Sequence, residues 1–288
     1  MSMAETLNIS SNSDLSTLNT QQKIPLVLLH GWGLNSGVWQ PFIDNLSSEF
    51  LDAFSIITLD LPGFGVNVDK EIHPYTLKDI SQSILNTITQ PAIYLGWSLG
   101  GLIATEMALN HPEKVLGLIT VTSSPRFLEE IKVLENEQTL IWPGIKSNVL
   151  SAFHQQLGVD TKKTISGFLK IQAMGSPHIR QDIKLISQLV FQHKMANQQT
   201  LDESLSLLET SDFRARLKNI KQPFLRLYGQ ADSLVPKSVI QKVNQLAPKS
   251  DHHVFPQASH APFISHTNDF SQILTDWLVT KVETNFNQ

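Results

Sequence analysis

Short, mostly apolar runs that predict strands, the first of them continuous, alternate along this chain with segments whose apolar positions recur at helical spacing. The runs cover residues 25–29, 54–59, 92–95, 115–122, 223–228 and 253–255, and the helical segments cover residues 38–50, 75–89, 99–109, 237–246 and 267–282. A continuous apolar run is typical of a parallel strand that is covered on both faces. Strands that alternate with helices in this way predict a doubly wound, mostly parallel α/β sheet.

The alternation is interrupted between residue 123 and about residue 210, where the spacing is helical and contains no convincing strand. We therefore predict a helical lid, residues 123–210, inserted after a central strand of a core that residues 23–122 and 211–288 form. An insertion at that point lies over the carboxyl ends of the strands, where open α/β sheets bind ligands.

Residues 1–22 are rich in Ser, Asn, Thr and Gln, which predicts a polar, mobile leader with at most a short edge strand near residues 7–9. The leader lacks a basic segment followed by an apolar run, so it does not resemble a signal peptide. No apolar run in the chain reaches the roughly 18 residues that a membrane span needs. We expect a cytoplasmic protein with no membrane partner.

The composition of the 288 residues, 41% hydrophobic and 17% charged, is typical of a globular enzyme. A net charge of −4 gives no reason to expect nucleic-acid binding. The chain contains no cysteine, which excludes disulfides, thiolate chemistry and cysteine-ligated metals. We expect no metal, no cofactor and a monomeric protein.

A Gly-X-Ser-X-Gly stretch with Ser98 at its centre lies between a predicted strand and a predicted helix, and it matches the nucleophile-elbow pattern. A strand that turns sharply into a helix strains its central residue, so the neighbours two positions away must lack side chains. Gly96 and Gly100 meet that need. The turn presents the Ser98 hydroxyl at a helix N-terminus, which favours developing negative charge, and we predict that Ser98 is a nucleophile.

The partners of such a serine follow it in the order acid, then histidine. Asp232 lies in the loop just past the predicted strand 223–228, and His260 lies in the loop after the strand 253–255. We predict that His260 accepts the Ser98 proton and that Asp232 fixes the tautomer of His260. The competing candidates are His252, His253 and His266 for the base, and Asp212, which precedes its strand, for the acid.

An oxyanion hole for this chemistry needs two backbone N–H donors. One should be the amide of Leu99, the residue after the nucleophile. The other should come from the loop after the first strong strand, where Trp32 stands between Gly31 and Gly33. Those glycines let the backbone approach a tetrahedral intermediate, so we predict the Trp32 amide as the second donor. His30, which closes the strand, is expected to shape this loop rather than to transfer protons.

Taken together, these motifs resemble those of the α/β-hydrolases. The resemblance is carried by residues 30–33, 60–65 and 96–101, by Tyr228-Gly229 with Asp232, and by residues 260–263. The stretches 142–146, 153–157, 172–175 and 260–266 further resemble the pimeloyl-[acyl-carrier-protein] methyl ester esterases of biotin biosynthesis. The elbow and triad motifs are shared across the superfamily, whereas Trp97 and the lid sequence are more specific to these esterases. The resemblance extends from residue 24 to the C-terminus.

The resemblance implies a serine carboxylesterase. Its substrate would be the methyl ester of a pimeloyl chain that is carried on acyl carrier protein by a phosphopantetheine arm, and its products would be pimeloyl-acyl carrier protein and methanol. The resemblance further implies that Trp32, Leu99 and Phe168 enclose the reacting end of the substrate.

The resemblance also implies that three basic residues of the lid, Lys163, Arg180 and Lys184, contact the carrier. Relatives can carry an arginine where this chain has Gly167, and lysine binds phosphate as a point charge rather than through a planar fork. Residues 146–194 contain seven basic and two acidic residues, a net charge of +5, whereas the rest of the chain has 15 basic and 24 acidic residues, a net charge of −9. A basic lid on an acidic body favours an anionic partner.

Other interpretations stay open at this point. One is a general short-chain carboxylesterase without a carrier partner, in which the basic lid is only a solvated helix face. Another is a non-catalytic ligand receptor on the same fold, which the complete set of Ser98, Asp232 and His260 disfavours. A dehalogenase is disfavoured because the elbow carries serine rather than aspartate.

Overall fold

Six parallel strands form the central sheet of the computed structural model, which describes residues 23–133, 135, 138–176 and 178–286. The predicted leader, residues 1–22, with its edge strand lies outside these described residues. The strands of the sheet are β1 (Ile24–Leu29), β2 (Phe54–Leu59), β3 (Ala92–Trp97), β4 (Val115–Val121), β7 (Phe224–Gly229) and β8 (Asp251–Phe255), and a separate hairpin contains β5 (Glu130–Val133) and β6 (Thr139–Trp142).

The strand order in the sheet is β2-β1-β3-β4-β7-β8. The central strands β3, β4 and β7 are almost wholly buried, which explains why their sequences are mostly apolar, with Thr120 and Arg226 as the exceptions. Because all neighbours are parallel, the register aligns their carboxyl ends, with Leu29 beside Gly96 and Gly96 beside Thr120. The loops that follow these strands therefore meet at one edge of the sheet, and the predicted doubly wound sheet is confirmed.

Helices connect the strands and fill the interruption between β6 and β7. In the two core segments they are α1 (Gln40–Ile43), α2 (Ser48–Ala53), α3 (Leu77–Thr87), α4 (Leu99–Asn110), α9 (Ser238–Leu246), α10 (Pro262–Ser265) and α11 (Thr267–Phe286). In the interruption they are α5 (Ser147–Leu157), α6 (Thr161–Ala173), α7 (Ile179–Val190) and α8 (Gln198–Thr210).

The prediction of one helix over residues 38–50 is wrong. The chain instead forms a 3-10 turn, Ser36–Trp39, followed by the separate helices α1 and α2. Ser47 explains the break, because its hydroxyl accepts a hydrogen bond of 3.2 Å from the Phe50 amide and so begins α2 as an N-cap. Serine is among the residues preferred at that position.

The prediction that residues 123–210 contain no strand is also wrong, because β5 and β6 form an antiparallel hairpin there. Ile131 and Ile141 face each other across the hairpin and are both exposed, as are Val133 and Leu140. Apolar residues that face solvent produce no in–out alternation, which is the main signal by which a short strand is predicted.

Long-range contacts hold this hairpin on the body of the protein. The indole N–H of Trp142 donates to the Arg126 carbonyl at 2.9 Å, and the Arg214 guanidinium stacks over the Trp142 ring at 5.1 Å. Arg214 also forms an ion pair of 2.7 Å with Glu130. Because Arg214 is more than 70 residues away from both partners in the sequence, no local pattern predicts the hairpin.

The four helices α5 to α8 are attached above the loop that follows β1. The indole N–H of Trp32 in that loop donates to the Leu201 carbonyl of α8 at 2.9 Å. The side-chain amide of Asn35 donates to the Val190 carbonyl at the end of α7, also at 2.9 Å. The predicted helical insertion therefore packs directly on the carboxyl edge of the sheet.

A buried histidine links the loops after β1 and β2. His30 is fully buried, its Nδ1 lies 2.8 Å from the Gly31 carbonyl oxygen, and the Leu61 amide donates to its Nε2 at 3.1 Å. Both bonds are satisfied by the neutral ring with its proton on Nδ1. Burial lowers the pKa of His30 below its ordinary value of 6.5, although the charge of nearby Asp60 opposes this shift. His30 thus shapes the two loops, as the sequence predicts.

The neutral state of His30 makes stability depend on pH. As pH falls through about 6.5, an unfolded chain binds a proton that folded His30 does not bind, so the free energy of unfolding should decrease. One such histidine contributes up to about 1.4 kcal/mol per pH unit to that slope. We expect His30→Gln to show a shallower dependence than the parent in urea unfolding between about pH 8 and about pH 5.

Exposed His178 provides the matched control, since His178→Gln should leave the slope unchanged. Burial also lowers the pKa of His252 and His253, but these residues contribute equally to parent and variant, so the difference isolates His30. A His30→Gln variant with the parent slope would mean that His30 titrates normally in the folded protein.

Candidate active site

Ser98 occupies the strained turn that the sequence predicts. It joins β3 to α4 with φ 54° and ψ −114°, a conformation that non-glycine residues rarely adopt. A Cβ at Gly96 would overlap the Gly100 carbonyl, and a Cβ at Gly100 would overlap the Leu29 carbonyl of β1. Only glycine allows this approach of α4 to β1 and β3. The sharp turn at Ser98 therefore depends on both flanking glycines as well as on the serine.

His260 and Asp232 form a buried pair at the same edge of the sheet. The Nδ1–H of His260 donates to Asp232 Oδ2 at 2.8 Å. The other carboxylate oxygen, Oδ1, accepts from the Leu234 and Val235 amides at 2.8 and 3.1 Å. His260 Nε2 is buried and has no hydrogen-bond partner in the part of the chain that the structure describes. This nitrogen is therefore free to accept a proton.

The loop that carries His260 is fixed to the strands next to Ser98. The His260 carbonyl accepts from the indole N–H of Trp97 at 2.7 Å and from the Thr122 hydroxyl at 2.6 Å. Trp97 directly precedes Ser98, and Thr122 follows β4 with a strained φ of 42°. The three residues predicted for catalysis thus gather where β3, β7 and β8 end.

Three of the four competing candidates, Asp212, His253 and His266, contact residues outside the Ser98–Asp232–His260 set. Asp212 hydrogen-bonds to Arg214 at 2.6 Å, and although burial opposes it, this bond and the Arg214 charge lower the pKa of Asp212. His266 Nδ1 lies 2.9 Å from the Ser265 hydroxyl, and the His253 ring stacks on Phe255 at 4.6 Å. The acid beside His260 is therefore Asp232.

The two predicted oxyanion donors lie beside the elbow. Gly31 lies against Trp97 and Ser98, which brings the loop containing Trp32 next to Ser98. The backbone amides of Trp32 and Leu99 donate no hydrogen bond to any described residue. Both residues are fully buried, and an unpaired buried N–H is costly unless a ligand or water completes it.

Aromatic side chains from α5 and α6 pack against this loop. The Phe168 ring of α6 meets the Trp32 ring edge to face at 4.9 Å, and the Phe153 ring of α5 lies 6.5 Å from Trp32. The structure therefore brings together Trp32 and Phe168, two of the three residues predicted to enclose the substrate. Leu99, the third, is fully buried at the elbow.

Sequence analysis did not identify three polar residues near these groups. Gln172 is fully buried one helical turn after Phe168, and neither polar atom of its side chain has a partner among the described residues. Thr122 and Ser259 both contribute hydroxyl groups that hold the histidine loop. The Thr-Ser-Ser run directly after buried β4 is the one sequence signal that could have indicated Thr122.

The three predicted carrier-contact residues lie on adjoining lid helices. Lys163 projects from α6, while Arg180 and Lys184 are one turn apart on α7, and all three are exposed. No ion pair is formed by any of them with a described residue. Their positive charge is thus presented to solvent.

The described residues contain no group of three or more His, Asp or Glu side chains that could hold a metal ion. Within that same part of the chain, no helix is long and apolar enough to cross a membrane.

The sequence and the fold agree with those of a known family. A family model described as the alpha/beta hydrolase fold matches residues 24–267. The chain therefore belongs to the α/β-hydrolase family. It is also 42% identical over 252 residues to the pimeloyl-[acyl-carrier protein] methyl ester esterase of Yersinia enterocolitica serotype O:8 / biotype 1B (strain NCTC 13174 / 8081). The matched region covers 88% of this chain and 92% of that protein.

Solved structures share the fold at lower sequence identity. The esterase EaEST from Exiguobacterium antarcticum has a TM-score of 0.75 at 21% identity, covering 90% of this chain and 92% of that one. The enol-lactonase from Burkholderia xenovorans LB400 has a TM-score of 0.72 at 17% identity, covering 91% and 93%. At such identities the likeness concerns the fold alone.

Two glycine substitutions should have opposite effects on stability. Gly100→Ala forces a methyl group into the Leu29 carbonyl, so we expect a loss of about 3 kcal/mol or more in the free energy of unfolding. Gly167→Ala lies inside α6, where nothing beyond the adjoining helix backbone comes within 4 Å of the added methyl, so the free energy of unfolding should rise by about 0.5–1 kcal/mol. Urea unfolding measures both, and a Gly100→Ala protein as stable as the parent would contradict the elbow geometry.

Proposed function

We propose that this chain is a serine carboxylesterase that hydrolyses the methyl ester of pimeloyl-acyl carrier protein to pimeloyl-acyl carrier protein and methanol. The observation that carries the reaction type is the strained Ser98 elbow beside the buried His260–Asp232 pair. The substrate follows from the 42% identity to the Yersinia esterase over most of both chains. Such a reaction belongs to biotin biosynthesis, which we place in the cytoplasm.

In the first half of the reaction, Ser98 Oγ attacks the ester carbonyl while His260 Nε2 takes the hydroxyl proton. The oxyanion that forms is stabilised by the backbone amides of Trp32 and Leu99, each of which lowers the barrier by ~3 kcal/mol. When the intermediate collapses, the His260 proton passes to the methoxy oxygen. Methanol leaves, and the pimeloyl chain remains on Ser98 as an ester.

In the second half, water attacks this acyl-enzyme while His260 again accepts a proton. As the second tetrahedral intermediate collapses, the bond to Ser98 Oγ breaks, His260 gives its proton to that oxygen, and the free carboxylate is released. Asp232 keeps the His260 proton on Nδ1 and stabilises the imidazolium in both halves. Its own orientation is set by the Leu234 and Val235 amides.

The aromatic surroundings suit a neutral ester better than an acid. Trp32, Phe153 and Phe168 pack against one another beside the elbow, and an ionised carboxylate is costly to bury among such rings. The methyl group removes that charge from the substrate end that must enter. Hydrolysis restores the charge, so the product is expelled toward water. We propose that residues 123–210 form the lid that provides these rings over the core of residues 23–122 and 211–288.

The charge of the lid supports a carrier-bound substrate. Lys163, Arg180 and Lys184 are exposed and unpaired among the described residues, and an acidic carrier would be attracted to them. Gly167 carries no charge at the position where relatives can have an arginine, and two of the three basic positions are lysine rather than arginine. We therefore expect steering by point charges rather than bidentate recognition.

Removal of the nucleophile or the acid tests the chemistry. Ser98→Ala should abolish turnover while the fold persists, and Asp232→Asn should lower kcat by about 10⁴-fold because the histidine tautomer is no longer fixed. Asp212→Asn is the control, since Asp212 pairs with Arg214 rather than with His260. Turnover retained by purified Ser98→Ala would exclude the serine mechanism, and a loss below about tenfold in Asp232→Asn would place the acid elsewhere.

Charge reversal on the lid separates carrier recognition from chemistry. Lys163→Glu with Arg180→Glu should raise KM for the carrier-linked ester, most strongly at low salt, because the acidic carrier is now repelled. Hydrolysis of a small uncharged ester should hardly change. The measurement is kcat/KM for both substrates at two ionic strengths.

The matched control reverses two exposed lysines that precede β7, Lys218→Glu with Lys221→Glu, and should affect neither substrate. Equal losses on both substrates in the lid variant would mean that the lid has been damaged. No loss on either would support a general carboxylesterase without a carrier.

A further inference from the structure

The loop between β8 and α10 carries His260 and is held from two sides. On the core side, the Ala231 amide donates to the Ala258 carbonyl at 2.8 Å, and the His260 carbonyl accepts from Trp97 and Thr122. On the lid side, the His260 amide donates to the Gln172 carbonyl of α6 at 3.1 Å. The loop that carries the proposed base is therefore hydrogen-bonded to the sheet on one side and to helix α6 on the other.

Ser259 provides the stronger part of the lid attachment. Its hydroxyl lies 2.7 Å from the Gln172 carbonyl and 2.6 Å from the Met174 carbonyl, at the end of α6. Carbonyls in the last turn of a helix have no partner within the helix and need one from outside. The histidine loop thus completes the carboxyl end of α6.

The surroundings of Ser259 leave it little freedom. The residue is only 2% exposed, so water cannot readily replace its hydroxyl. A Cβ at Gly229 would overlap the Ser259 carbonyl, which shows how closely the loop lies against the end of β7. Ser259 therefore fills a fixed position between β7 and α6.

The same helix contacts the other side of the site. Earlier in α6, Phe168 packs on Trp32, and Ile165 lies against Gly33, which follows Trp32 in the loop. One rigid helix thus bears on the oxyanion loop with its middle and on the histidine loop with its end. A shift of α6 displaces both groups relative to Ser98.

We infer that Ser259 is a positioning residue, which fixes His260 relative to Ser98 by tying the histidine loop to the carboxyl end of α6. This inference rests on the proposed function only in taking His260 as the base. Ser259 acts through His260 and α6. Without its hydroxyl, the Gln172 and Met174 carbonyls lose the donor that they share, so the loop can separate from the helix. A displacement of about 1 Å in a reacting group can cost about 10²-fold in rate.

The test compares Ser259→Ala, Ser259→Thr and the control Ser206→Ala, whose hydroxyl also donates to a lid carbonyl but within its own helix, to Asp202 at 3.0 Å. With a small uncharged ester, Ser259→Ala should lose about tenfold or more in kcat with little change in KM. Ser259→Thr keeps the donor and should recover most of the loss, and Ser206→Ala should match the parent.

A double-mutant cycle with Asp232→Asn distinguishes positioning from general damage. Once the histidine is no longer oriented by Asp232, adding Ser259→Ala should cost much less than it does alone. A merely structural role would give the same factor in both backgrounds. If Ser259→Ala does not fold, Ser259→Cys, a weak donor of similar size, replaces it in the cycle.

Three results would overturn the inference: parental kcat in Ser259→Ala, no recovery in Ser259→Thr, or equal losses with and without Asp232→Asn. Failure of the proposed function has a different signature. If the serine mechanism is wrong, Ser98→Ala remains active. If the carrier-linked substrate is wrong, the parent does not turn over the carrier-linked ester, yet the Ser259 variants still differ from the parent in kcat for the small ester.

Discussion

The close approach of α4 to the ends of β1 and β3 is the constraint on which the rest of the site depends. At Gly96 and Gly100 no side chain fits, because backbone carbonyls occupy the space. This contact forces Ser98 into its strained conformation and sets the Leu29 strand end, and hence the Trp32 loop, beside the nucleophile. The two amides proposed as oxyanion donors are therefore positioned by backbone packing at the buried sheet rather than by flexible side chains, as electrostatic preorganisation requires.

His260, the proposed base, is positioned in a different way from Ser98, the proposed nucleophile. Ser98 is fixed by the sheet and its own helix, whereas His260 lies in a loop that the sheet holds through Trp97 and Thr122 and the lid holds through α6. The reactive geometry thus depends on two bodies of structure at once. If Ser98 is the nucleophile and His260 the base, as proposed, then helix α6 takes part in positioning the catalytic groups in addition to its proposed role in enclosing the substrate.

The sequence was sufficient for the features that are local or that follow from chain order. The elbow is five consecutive residues, and the positions of Asp232 and His260 after successive strands identify them without any knowledge of contacts. The hairpin of β5 and β6 could not be predicted, since its apolar residues face solvent and its anchor, Arg214, is distant in sequence. The attachment of Ser259 to Gln172, 87 residues apart, likewise has no local signature, because a serine in a polar loop has many possible partners.

Helix α6 has charged residues on its exposed face and apolar residues on its buried face. The exposed face of α6 carries Lys163, its buried face carries Phe168, and its end holds the histidine loop. Salt screens interactions between exposed charges over roughly 8 Å at physiological strength, so the outer charges act on an approaching anion but have little influence on the buried reaction. The proposed recognition on the outside and the proposed chemistry on the inside can therefore vary independently in their charges, while helix α6 between them holds both sets of residues in fixed positions.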